Sequence, residues 1–141
     1  MIDLSKRELE CIDLELQRYR TIKNRIYLRR QELIHSNSNN FTNATFGKEK
    51  KVVKPTEKTI ISLDTDITLK NLESFKLTVE TLMNELIETD LIIFKLRFLN
   101  VGIDWDRVAY ELNKTKTYIN KRRMVISKKY IELKGFYPPS F

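Results

Sequence analysis

Residues Ile92 to Tyr130 read IIFKLRFLNVGIDWDRVAYELNKTKTYINKRRMVISKKY, and this stretch decides the fold. Its apolar residues recur every three or four positions in three blocks that two short breaks separate, a pattern typical of helices joined by tight turns. The last block carries seven cations and no acidic residue: Lys114, Lys116, Lys121, Arg122, Arg123, Lys128 and Lys129. A duplex carries one negative charge per ~1.7 Å, so this block indicates DNA as the first partner to consider.

The last two blocks predict a helix-turn-helix at about residues 104–133. Asp104 is suited to cap a helix over Trp105 to Leu112, and Asn113 tolerates the left-handed backbone of a turn. Thr115 then caps a helix that runs to about Leu133. The apolar spacing predicts a shared core for the two helices: Trp105, Val108, Ala109, Leu112, Ile119 and Ile126.

Two groups of side chains in the second of these helices are candidate DNA contacts. Its first turns correspond to the part of a recognition helix that meets base edges, and the side chains predicted there are Lys116, Thr117, Asn120 and Lys121. The remaining cations suit phosphate contacts, which position a protein without reading sequence. They are Lys114, Arg122, Arg123, Lys128 and Lys129.

The N-terminal part predicts a long amphipathic helix from about Ser5 to Ile34. Ser5 and Glu8 have the spacing of a capping box, and six of eight positions along the stripe that follows are apolar. At ~1.5 Å per residue the helix would be roughly 45 Å long, more than a small core covers. Its partner is another chain, as in a coiled-coil dimer, or the second long helix of the same chain.

The middle of the chain predicts a linker and two further helices. Residues 36–58 lack periodicity and predict a flexible linker. A second helix is expected from near Asp64 or Asp66 to Glu88. Thr89 and Asp90 are then expected to cap a third helix over Leu91 to Asn100, which Gly102 closes. The prediction is all-α, with segments 1–35, 36–58 and 59–141.

Composition and charge exclude several classes of protein for this chain. The chain has 141 residues and a net charge of +7, of which residues 112–134 alone contribute +7 and residues 56–96 contribute −4. The single cysteine excludes an intramolecular disulfide and a multi-cysteine zinc site, and no apolar run approaches a membrane span. We expect a cytoplasmic protein with no membrane contact.

Nothing in the sequence predicts catalysis. Phosphate-cradling glycine loops and nucleophile–base pairs are absent, so we expect no enzyme activity, no cofactor and no metal site.

Several segments resemble a known class of regulator. Leu96-Arg-Phe98, Trp105-Asp-Arg-Val-Ala109 and Thr115-Lys-Thr-Tyr-Ile119 are similar to the C-terminal helix-turn-helix of sigma factor region 4. They resemble still more the RinA/ArpU group of phage-encoded late-gene transcription regulators, which also share the order of long helix, polar linker and basic domain. The resemblance implies activation of late phage genes by binding promoter DNA in a bacterial host and engaging its RNA polymerase.

Two other functions remain open at this point. A small terminase subunit also binds DNA, although its helix-turn-helix usually precedes its oligomerisation helices. A helical interaction protein that modulates another regulator would not bind DNA at all. A salt series separates the DNA-binding functions from the interaction protein. Six or more phosphate contacts predict a ~10³-fold loss of DNA affinity between 50 and 200 mM salt, whereas an interaction protein has no DNA affinity to lose.

Overall fold

The computed structural model describes residues 3–37 and 56–135, and nearly all of them are helical. No strand occurs in this part of the chain, which confirms the all-α class. The α-helices are α1 (Lys6–Gln17), α2 (Ile22–Asn37), α3 (Glu57–Thr65), α4 (Ile67–Glu85), α5 (Glu88–Phe98), α6 (Trp105–Leu112) and α7 (Lys116–Lys134).

The predicted N-terminal helix forms in two pieces. The capping box is present: the Glu8 N–H donates to the Ser5 hydroxyl at 3.2 Å, and the Ser5 N–H donates to the Glu8 carboxylate at 3.0 Å. A short 3₁₀ segment, Arg18–Thr21, separates α1 from α2. The described residues divide into two compact units, one from residues 3–21 and 75–135, the other from residues 22–37 and 56–74. This division differs from the predicted 1–35 segment, because α1 and α2 belong to different units.

The first unit has one apolar core. It is built from α1, the end of α4, and α5, α6 and α7. Its fully buried side chains include Ile12, Phe94, Phe98, Ile126 and Tyr130. Ile12 and Leu16, two positions in the first half of the predicted N-terminal stripe, are covered within this unit. The stripe of α1 therefore has its partner helices in the same chain.

The second unit packs α2 against α3. The Arg29 guanidinium donates to both carboxylate oxygens of Asp66, at 2.9 and 2.7 Å. Asp66 also accepts the N–H of Leu69 at 2.8 Å, so it caps α4 as predicted. The hydrogen bonds from Arg29 lower the pKa of Asp66 to about 2. This ion pair fixes the start of α4 to α2.

The predicted linker is too long at both ends. α2 continues to Asn37, and α3 begins at Glu57 with Thr56 as its cap. The sequence did not predict α3, because Ile60 and Ile61 are adjacent and do not form an apolar stripe at helical spacing. Both side chains are exposed in the structure. The rest of the predicted linker, residues 38–55, lies outside the described residues.

The start of α5 also differs from the prediction. The helix begins at Glu88 after Ile87, whose side chain makes no capping bond, so Thr89 and Asp90 lie inside its first turn. Asp90 is buried and bonded to α7 instead. The helix ends at Phe98, two residues earlier than predicted, and the turn that leads to α6 contains two left-handed residues, Asn100 with a φ of 55° and Gly102 with a φ of +70°.

Candidate nucleic-acid interface

A three-residue turn, 113–115, joins α6 to α7, and the predicted caps of both helices and the predicted turn residue are present. The Asp104 carboxylate caps α6 by accepting the Arg107 N–H at 2.8 Å. Asn113 has left-handed backbone angles, φ 55° and ψ 45°. The Thr115 hydroxyl caps α7 by accepting the Tyr118 N–H at 3.1 Å. The orientation of the first turn of α7 is thus fixed by short polar side chains.

The side chains predicted to hold these two helices together all belong to the core or pack against it. Val108, Ala109, Ile119 and Ile126 are buried. Trp105 and Leu112 are half-buried against the same cluster. One side of α7 is therefore anchored, and the opposite side is exposed over the first turns, Lys116–Lys121, since no residue from Arg122 to Ile131 is exposed.

The outward side of the first turns of α7 carries Lys116, Thr117, Asn120 and Lys121, which we call the α7 patch. All four are exposed. Lys116 lies 3.5 Å from Asp106, but both side chains are about three-quarters exposed, so this pair adds little. Lys121 has no partner within the described ranges. Next to the patch, the Lys114 ammonium lies 5.2 Å from the centroid of the Tyr118 ring.

Cations at this end of α7 oppose its own stability. The N-terminus of a helix carries roughly +0.5 of an elementary charge, so acidic residues stabilise the first turn and basic ones do not. The first turn of α7 has no acidic residue and contains Lys116, with Lys114 just before it. Folding alone does not favour that arrangement, whereas an anionic ligand would.

Arg122, predicted to contact phosphate, is engaged inside the protein. Its guanidinium donates to both carboxylate oxygens of Asp90 at 2.7 Å each, and this hydrogen bonding raises the pKa of Arg122. Asp90 is 1% exposed and Arg122 is 27% exposed. The pair ties α7 to the first turn of α5. Nothing near Asp90 in the sequence signals this pairing, since the two residues are 32 positions apart.

Arg123 is also held inside. It donates to Asp13 of α1 at 2.6 Å, its side chain is 15% exposed, and its guanidinium lies 5.1 Å from the centroid of the Trp105 ring. The Trp105 indole N–H donates to the same Asp13 oxygen at 2.7 Å. Arg97 lies 4.0 Å from it.

One buried carboxylate therefore serves two guanidinium groups. Burial raises the pKa of Asp13 and lowers the pKa of Arg97. Asp13 Oδ1 and the Nε atoms of Arg97 and Arg123 have no hydrogen-bond partner among the described residues. This cluster joins α1, α5, α6 and α7 and sets where the anchored side of α7 lies.

The last two residues predicted to contact phosphate, Lys128 and Lys129, make contacts within the protein. Lys128 donates to the Asp3 carboxylate at 2.5 Å. Lys129 reaches the Glu85 carbonyl only at 3.4 Å. Further along, Lys134 lies 2.7 Å from Glu15, which also accepts a hydrogen bond from the buried Tyr130 hydroxyl. Acidic side chains of α1, together with Asp3 just before it, thus neutralise much of the positive charge in the second half of α7.

Sequence reasoning missed these acidic partners, because Asp13 and Glu15 appear in the sequence only as polar positions of an amphipathic helix and Asp3 only as a residue before that helix. It also passed over Tyr110 of α6, which is exposed and lies under the Arg107 guanidinium at 5.3 Å.

Other kinds of site find no support in the described ranges. No group of three or more His, Cys, Asp or Glu side chains within them could hold a metal ion. Within the same ranges, no helix has the length and apolarity to cross a bilayer.

Comparison with known proteins yields one match. A family model described as "Protein of unknown function (DUF722)" matches residues 10–132. That range includes the α7 patch, Asp13 and Asp90. No curated protein and no solved structure matches the chain.

Proposed function

The chain belongs to that family, and we propose that it is a DNA-binding transcription regulator that reads a duplex with the α7 patch. The observation that carries the proposal is the exposure of Lys116, Thr117, Asn120 and Lys121 at the start of α7. The major groove of B-DNA is about 12 Å wide and admits a helix. A helix that presents its first turns to the groove needs these positions uncovered.

The residue types of the patch suit base edges. Lysine donates to O6 and N7 of guanine, and asparagine pairs with N6 and N7 of adenine. The threonine methyl group contacts the methyl group of thymine. Within two turns the patch therefore offers hydrogen-bond donors from lysine, a donor and an acceptor from asparagine, and a methyl group from threonine. These groups can distinguish one base pair from another.

The phosphate contacts in this proposal are fewer than the sequence predicted. Lys114 precedes α7 and is exposed, and the N-terminus of α7 adds the partial positive charge of its dipole. Arg122 and Arg123 are assigned to internal ion pairs rather than to DNA.

The finer identity comes from the resemblance to RinA/ArpU regulators. We propose a phage-encoded activator of late genes that acts in the bacterial cytoplasm and engages host RNA polymerase. A homodimer would set two copies of α7 on half-sites about one helical turn apart.

Fluorescence anisotropy with the promoter region upstream of late genes, compared with random duplex of equal length, tests the proposal. We expect Asn120→Ala and Lys121→Ala to weaken binding to the specific site by roughly 5- to 100-fold, as loss of a base contact worth ~1–3 kcal/mol implies. The matched controls are Asn84→Ala and Lys95→Ala, which remove the same side chains from exposed positions on α4 and α5.

Three outcomes would contradict the proposal. Absence of DNA binding at low salt would favour the helical interaction protein. Equal losses for the patch variants and their controls would show that α7 does not read DNA. Specific binding by a ring of many subunits would favour a small terminase subunit over a transcription regulator.

A further inference from the structure

The contact between Asp3 and Lys128 differs from the other ion pairs that hold α7. Asp3 is 78% exposed and precedes α1, whereas Asp13 and Glu15 are mostly covered. Lys128 is 22% exposed, with its Nζ atom 2.5 Å from Asp3 Oδ1. The hydrogen bond from Lys128 lowers the pKa of Asp3, so its carboxylate is charged at neutral pH. An exposed ion pair of this kind opens at little cost.

Lys128 lies on the side of α7 that carries the patch. It follows Lys121 by seven residues and Thr117 by eleven, which at 3.6 residues per turn corresponds to about two and three turns. The three side chains therefore fall within a narrow stripe along the helix. A duplex that meets Thr117 and Lys121 would bring its backbone along this stripe toward Lys128.

We propose that Asp3 and a DNA phosphate compete for Lys128, so that the segment before α1 lowers the affinity of the α7 face for DNA. This inference rests on the proposed function. Both competitors carry anionic oxygens that accept a hydrogen bond from the same ammonium group, and the repulsion between a carboxylate and a phosphate opposes their binding to it together. Release of Asp3 adds one cation to the DNA-facing stripe without any change in the core.

The carboxylates of Asp13 and Asp3 differ in their access to solvent. Asp13 pairs with Arg123 behind α7, where the partners are buried and cannot exchange with solvent anions. Asp3 makes its contact at the surface, where a phosphate can replace it.

The test compares Asp3→Asn with Glu10→Gln on random duplex DNA across a salt series. Glu10 is an exposed acidic residue of α1 with no partner among the described residues, so both variants change net charge equally. We expect Asp3→Asn to bind about two- to fivefold more tightly, the range of a surface ion pair. Its slope of log K against log salt should steepen by ~0.9, the value for one added phosphate contact. Glu10→Gln should keep the wild-type slope.

Lys128→Ala completes a double-mutant cycle with Asp3→Asn. Lys128→Ala should change the affinity of the wild-type protein by less than about twofold, because Asp3 already neutralises Lys128. The same change in the Asp3→Asn protein should remove the whole gain.

The outcomes separate this inference from the proposed function. If the wild-type protein binds DNA but Asp3→Asn and Glu10→Gln give the same slope and affinity, the competition is refuted and the proposed function stands. If Lys128→Ala weakens the wild-type and Asp3→Asn proteins equally, Asp3 does not mask Lys128 and the inference is again refuted. No DNA binding by any variant would overturn both.

Discussion

Trp105 shows how single residues hold the candidate interface in place. Its indole N–H donates to Asp13, and the guanidinium groups of Arg97 and Arg123 lie 5.5 and 5.1 Å from the centroid of its ring. The ring of Phe98 meets it edge-on at 5.8 Å. Buried charges are costly unless they are paired, and stacking on an aromatic face offsets part of that cost. One side chain thus allows two arginines to share one carboxylate.

Thr117 offers a test of function against stability at the residue scale. Thr117→Glu should raise the free energy of unfolding by ~0.5–1 kcal/mol, because an acid in the first turn of α7 complements the helix dipole and pairs with Lys121 one turn later. The same carboxylate should repel phosphate and lower DNA affinity by about tenfold or more. Urea denaturation and anisotropy measure the two effects.

The control for this change is Thr68→Glu. Thr68 is exposed at the second position of α4, as Thr117 is in α7, so the substitution adds the same charge to an equivalent helix start. It should leave DNA affinity within about twofold of wild type. A parallel loss of affinity in both variants would mean that net charge, and not the α7 patch, governs binding.

At the scale of elements, α7 is divided into two parts with different tasks. Its first six residues, Lys116–Lys121, contain the exposed patch. From Arg122 onward, each of its cations contacts an acceptor elsewhere in the chain. The acceptors are carboxylates of α1, of α5 and of Asp3 before α1, and one carbonyl of α4. A helix firmly docked over its second half can present its first turns in a fixed orientation, which base recognition requires.

The turn between α5 and α6 fixes where α6 begins, and Gly102 is its critical position. Gly102 has a φ of +70°, and a Cβ there would lie 2.5 Å from Nη1 of Arg20. That guanidinium donates to the Val101 carbonyl. Gly102→Ala should therefore cost roughly 2 kcal/mol, from the left-handed backbone and the displaced hydrogen bond together.

Gly135→Ala is the comparison for that loss. Gly135 also has a left-handed φ, +88°, but a Cβ there would meet nothing within 4 Å. It should cost only the backbone term, about 1 kcal/mol in urea denaturation. Equal costs for the two variants would show that the Arg20 contact with the turn contributes nothing.

For the whole molecule, the internal ion pairs change the expected response to salt. The net charge is +7, and the cations of α7 suggested six or more phosphate contacts. With Arg122, Arg123 and Lys128 paired with carboxylates and Lys129 directed to the Glu85 carbonyl, Lys114, Lys116 and Lys121 remain for DNA. Three contacts predict a slope near −2.7 per bound chain and an affinity loss of about 40-fold between 50 and 200 mM salt. A slope of −5 or steeper would mean that the paired arginines leave their carboxylates to bind DNA.

The local features of this protein follow from short stretches of sequence. The Ser5 capping box, the left-handed Asn113, the caps at Asp104 and Thr115 and the exposed positions of the patch all follow from neighbours within four residues. Such features depend on backbone geometry and helical periodicity, which are short-range. The helical class follows for the same reason.

Which cations remain available to a ligand depends on contacts between residues far apart in the sequence. Asp90 finds Arg122 across 32 positions and Asp13 finds Arg123 across 110, and no periodicity in the sequence encodes either pairing. The tertiary structure also determines that α1 packs in the same unit as α7, since a stripe of apolar residues fits a partner from its own chain or from another equally well. Charge pairing and the choice of partner helix depend on which surfaces meet in space, and this is fixed only when the core closes.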